Sequence, residues 1–125
     1  MNKILLVEDH NALREALASG LNQQPDMEVV AQTGSLGEGR SAIELGGMDV
    51  AVVGPELPEE DGLELVSELH NIQPHSIPVL VLTKSLDPSV HDQLLKAGAS
   101  EVLSTDFSSS ICMTAAMVLE RLKAA

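Results

Sequence analysis

A chain of 125 residues is the size of one compact domain, burying roughly two-thirds of the surface its unfolded form exposes, so residues 1–125 are expected to share one core. The formal charge of −12, from 19 acidic and 7 basic residues, excludes a domain that grips nucleic acid or an anionic membrane, because either needs clustered Lys and Arg. Phe107 is the one aromatic residue, so the core must be aliphatic.

The single cysteine, Cys112, excludes an internal disulfide and reads as a buried structural thiol in an apolar helical stretch. No signal peptide precedes residues 3–7, and nothing approaches the ~20 apolar residues needed to cross a bilayer. A cytoplasmic location is expected. Between Ser41 and Thr83 there is no Lys or Arg, while carboxylates run from Glu44 to Glu68. Two readings stay open: a solvated acidic surface, or an anionic rim around a cation site.

Taken in chain order, short apolar runs alternate with longer amphipathic segments, the signature of repeated βα units and a parallel sheet covered on both faces. The first strand is expected over residues 3–7 and the first helix over 11–21, its stripe made by Leu13, Ala16, Leu17 and Leu21. A second strand at 28–32 leads to a helix at 36–45 burying Ala42, Ile43 and Leu45. The third strand, 49–53, is followed by a turn over 57–62 and a helix after Gly62 carrying Leu63, Leu65, Val66 and Leu69. The fourth strand is 78–82, and its helix, 88–97, opens on Asp87 as N-cap with proline just inside and stops at Gly98. The fifth strand is 101–103, and a last helix after Asp106 has Ile111, Ala115, Val118 and Leu122 as its stripe.

Ligands of an open parallel α/β sheet bind beyond the carboxyl ends of the strands. Glu8-Asp9, Gly54, Thr83-Lys84 and Ser104-Thr105 stand there. Two adjacent carboxylates at a strand end are costly unless a cation, a base or water neutralises them, which marks Glu8-Asp9 as a site. The alternative is structural: Asp9 caps the first helix. His10 is expected on the surface with no catalytic task.

The runs Lys3-Ile4-Leu5-Leu6-Val7-Glu8-Asp9-His10, Glu28-Val29-Val30-Ala31, Leu57-Pro58-Glu59-Glu60-Asp61-Gly62-Leu63-Glu64-Leu65, Pro78-Val79-Leu80-Val81-Leu82-Thr83 and Ala97-Gly98-Ala99 occur in this order over essentially the whole chain. Together they resemble the receiver domain of two-component response regulators, the CheY-like family. The resemblance implies a single doubly wound (βα)5 domain of flavodoxin-like architecture, with a five-stranded parallel sheet in the order 2-1-3-4-5. It implies a phosphorelay signalling module and no enzyme.

In that family an acidic pair binds Mg²⁺, an aspartate after the third strand accepts the phosphoryl group, a Thr or Ser after the fourth bonds it, and a lysine after the fifth completes the site. Glu8 and Asp9 match the acidic pocket and Thr83 the switch hydroxyl. Gly54 falls on the phosphoacceptor and Thr105 on the lysine, and Val102 replaces the usual aromatic residue. Glycine has no oxygen to attack phosphorus, and threonine supplies no fixed positive charge. Those losses imply a pseudo-receiver, acting through protein contacts and not phosphorylated at the usual position.

Glu8, Asp9 and Glu56 are the candidate ligands of a weakly held Mg²⁺, and no other cofactor is expected. Lys84 could neutralise the acidic pair directly. The expected partners are a histidine kinase or another signalling protein, and a second copy of the chain. Two alternatives remain: the regulatory domain of a helix-turn-helix transcription factor, itself not touching DNA, or a flavodoxin-like cofactor-binding module. The second needs a phosphate-cradling loop after the first strand, where Glu8-Asp9 would repel phosphate.

Overall fold

Five strands, β1 (Asn2–Val7), β2 (Met27–Thr33), β3 (Val50–Val53), β4 (Val79–Thr83) and β5 (Glu101–Ser104), alternate with five helices in a computed structural model that describes residues 2–54, 59–70, 77–84, 86–104 and 111–124. The helices are α1 (Asn11–Asn22), α2 (Leu36–Leu45), α3 (Glu59–His70), α4 (Pro88–Ala97) and α5 (Ile111–Ala124). The strands form one parallel sheet in the order β2-β1-β3-β4-β5. This is the doubly wound CheY-like topology that the resemblance implied.

The central strands are apolar at consecutive positions because helices cover both faces of the sheet. Ile4, Leu6, Val50, Val52, Leu80 and Leu82 face one core with Leu17 and Leu21 of α1 and Ala115, Val118 and Leu119 of α5. The alternate residues Leu5, Val7, Ala51, Val53, Val79 and Val81 face the other, with Ala42 of α2, Leu65 and Val66 of α3 and Leu94 of α4. Each fully buried Leu or Val contributes roughly 1.5–3 kcal/mol relative to an exposed one.

Helix ends are set by local side chains. Ser35 caps α2, its Oγ accepting the Glu38 N–H at 3.2 Å, while Glu38 Oε2 accepts the Gly34 N–H at 2.7 Å. Asp87 caps α4 as expected, accepting the Ser89 N–H at 2.9 Å. The Ser89 backbone bond, helped by the Ser89 hydroxyl, holds the Asp87 carboxyl below its usual range. Gly98 ends α4 at φ 123°, a conformation that a side chain would strain.

Several local expectations are corrected. Asp49 precedes β3, and its carboxylate accepts the Lys3 N–H at 3.0 Å. Helix α3 begins at Glu59, before Gly62. Ala18 is buried in α1 in place of Ala16, which is exposed. Leu45 is 88% exposed because it ends α2 just before Gly46, whose φ of 72° turns the chain away. Leu69, Ile111, Cys112 and Leu122 lie outside the described side chains.

Candidate functional site

Parallel pairing of β1 with β3 aligns Val7 with Val53, and the ladder runs one step further through the Gly54 N–H to the Val7 carbonyl at 2.7 Å. On the other edge the Glu8 N–H donates to the Thr33 carbonyl of β2 at 2.9 Å. Side chains alternate along a strand, so residues 8 and 54 continue the face carrying Ile4, Leu6, Val50 and Val52. They leave neighbouring strands side by side.

Glu8 is wholly buried, an unusual place for a carboxylate. Its Oε2 accepts the His10 N–H at 2.7 Å. A Cβ built on Gly54 would run into Glu8 Oε1 and would lie 2.8 Å from Glu8 Cδ and 2.9 Å from Glu8 Cβ. The Glu8 side chain therefore fills the space that a side chain at residue 54 would need.

The acidic pair is split by this arrangement: Glu8 is inaccessible and Asp9 is exposed. Asp9 does not cap α1, which corrects the structural alternative. His10 does so, its Nδ1 accepting the Leu13 N–H at 3.2 Å. His10 has a structural task that its surface position did not suggest.

Arg14 was not among the expected site residues. Its Nη1 donates to the Glu8 carbonyl at 2.9 Å and its Nη2 to Asn11 Oδ1 at 2.7 Å. The guanidinium reaches that carbonyl because Gly34 opposite has no side chain: a Cβ there would lie 2.6 Å from Nη1. A basic residue one turn into the helix after an acidic pair is the signal that could have found it.

Thr83 ends β4, half-buried, and the exposed Lys84 follows. On β5, Val102 packs against the core on the α2–α4 side, and Ser104 Oγ hydrogen-bonds His91 Nε2 of α4 at 2.9 Å. Glu56 and Thr105 lie outside the described residues. Of the candidate cation ligands that are described, Glu8 points into the space beside Gly54 and Asp9 is exposed to solvent. No group of three His, Cys, Asp or Glu side chains among the described residues is placed to hold a metal. Nor is any described helix long and apolar enough to cross a membrane.

Comparison with known proteins bears on the same elements. The response regulator receiver domain profile matches residues 4–116. The DNA-binding transcriptional activator DevR/DosR of Mycobacterium tuberculosis is 33% identical over 100 residues, covering 80% of this chain and 46% of that protein. The transcriptional regulatory protein UhpA of Salmonella typhimurium is 34% identical over 104 residues, covering 83% of this chain and 51% of its own length. The chain thus spans about half the length of these relatives. Among solved structures, the receiver domain of the response regulator NarL from M. tuberculosis superposes with a TM-score of 0.82 at 20% identity, covering 96% of each chain. A parallel sheet of this order, acidic and hydroxyl residues at its carboxyl edge, and a profile match over nearly the whole chain lead to one assignment: the chain belongs to the response regulator receiver domain family of two-component systems.

Proposed function

We propose that this domain is a pseudo-receiver, a signalling module that keeps the receiver fold and its partner-binding faces but takes no phosphoryl group at the usual position. The observation that carries the reading is Gly54 at the end of β3, with the Glu8 carboxylate standing where an acceptor side chain would be. No oxygen at residue 54 can attack phosphorus, so no acyl phosphate forms there. Thr105, where the family has a lysine, adds to the reading through its lack of charge.

The input is then a protein contact or a small ligand, with a histidine kinase or another signalling protein as partner and self-association as a further contact. The domain has no catalytic task of its own. It works in the cytoplasm as the regulatory part of a transcription regulator, a reading supported by the DNA-binding activator and the transcriptional regulator that it resembles. With a formal charge of −12, the domain leaves contact with DNA to another part of such a protein.

Incubation with acetyl phosphate and Mg²⁺, followed by intact-mass measurement, tests the proposal. The protein is expected to keep its mass, while a variant carrying Gly54→Asp, Thr105→Lys and Glu8→Asp gains one phosphoryl group on a fraction of molecules. Phosphorylation of the unaltered protein at any residue of this site overturns the pseudo-receiver reading.

A further inference from the structure

We infer that Glu8 has taken over the volume of the missing acceptor, so that loss of the aspartate and closure of the cation site are one structural event. The inference rests on the pseudo-receiver reading and supplies its physical cause. Register comes first: β1 and β3 pair through Val7 and Val53, which leaves residues 8 and 54 adjacent on one face of the sheet. In this structure the long side chain is at 8 and lies across the space beside 54, where there is none.

The overlap is not with a mobile tip alone. A Cβ on residue 54 would crowd the Cβ and Cδ of Glu8 as well as its oxygen, at 2.9 and 2.8 Å. Glu8 is also tied at both ends: its carbonyl accepts from Arg14 at 2.9 Å and its Oε2 from the His10 N–H at 2.7 Å. His10 in turn caps α1. Drawing the carboxylate out toward a cation therefore breaks the bond that shapes the start of the helix. With Glu8 held there, Asp9 is the one carboxylate of the acidic pair left open to a cation, and Mg²⁺ loses the second oxygen that the pair would supply.

The consequence is that Glu8 and Gly54 are energetically coupled. Restoring an acidic side chain at 54 while Glu8 remains forces two carboxylates into one space, which disfavours both as anions.

The test combines a double-mutant cycle with a metal probe. Urea unfolding is compared for the parent, Gly54→Ala, Glu8→Ala and the double variant, and Mn²⁺ is titrated into the unaltered protein while its backbone amide signals are followed. Gly54→Ala is expected to lower the folded-to-unfolded ratio of the parent roughly ten-fold or more, as overpacking does. In the Glu8→Ala background the same change is expected to be neutral or stabilising. If Gly54→Ala does not fold, a folded double variant supports the coupling, and an unfolded double beside a folded Glu8→Ala overturns it.

Millimolar Mn²⁺ is expected to leave the amides of Glu8, Gly54 and Thr83 sharp. Equal cost of Gly54→Ala in both backgrounds, or broadening centred on Glu8, overturns the inference. Broadening in a protein that acetyl phosphate leaves unmodified would reopen the cation site and leave the pseudo-receiver reading intact. A phosphorylated parent would instead remove the reading itself.

Discussion

Glu8 and Gly54 share the volume of one side chain, at the point where β1 and β3 leave the sheet together. On the pseudo-receiver proposal, this relationship puts a buried, hydrogen-bonded carboxylate where the family carries its reactive group. It also separates the glycines of this chain by what surrounds them.

Gly39 lies inside α2, and a Cβ there would meet Leu65 and Val7 at an ordinary 3.5 Å. Gly39→Ala is expected to raise stability by about 0.5–1 kcal/mol, since alanine is the better helix former. At Gly34 the crowded atom is the end of the Arg14 side chain, which can swing aside. Gly34→Ala is expected to cost under about 1 kcal/mol and to release Arg14 from the Glu8 carbonyl. Urea unfolding of the two variants checks both signs, and a costly Gly39→Ala would contradict the packing described.

Leu65 of α3 is fully buried between α2 and the sheet, whereas Leu45 is 88% exposed. Leu65→Ala is expected to lose about 2–5 kcal/mol and Leu45→Ala to stay within about 0.5 kcal/mol of the parent. Chemical denaturation distinguishes them.

The alternation of apolar runs and amphipathic stripes made all five βα units legible in the sequence, because sheet strands covered on both faces and helices covered on one leave different periods. The Asp87-Pro88 opening and Gly98 stop of α4 were equally legible, being chemistry local to the chain. Leu45 misled because an apolar residue at the last helical position looks like stripe, and the turn at Gly46 decides otherwise. That residue 54 is a glycine is plain in the sequence, but that Glu8 fills the space beside it was not legible, because it depends on the β1–β3 register, a relation between distant parts of the chain. The same holds for Arg14, whose reach depends on Gly34 of the neighbouring strand end.

The Asp87 cap has a pH signature. Its carboxyl is held below the usual value by the Ser89 backbone N–H and hydroxyl, so it favours the folded state when ionised. Its contribution is fully present above the unfolded carboxyl range, near pH 4, and is lost as pH falls through the lower folded value. Asp87→Ala is expected to lower the melting temperature at neutral pH and to make little difference in acid below that folded value. Melting curves of the two proteins from neutral to acid pH should therefore converge, and a difference that persists undiminished in acid would show that the ionised carboxyl is not what caps α4.

Whether the filled space beside Gly54 accepts a phosphoryl group is read by ¹⁹F NMR with beryllofluoride and Mg²⁺. Beryllofluoride mimics a phosphoryl group on a carboxylate and needs both an acceptor oxygen and a cation to bind. Only the signals of free fluoroberyllates are expected, with the amide shifts of Gly54 and Thr83 unmoved. Protein-bound fluorine resonances accompanied by shifts at those two amides would contradict the pseudo-receiver reading.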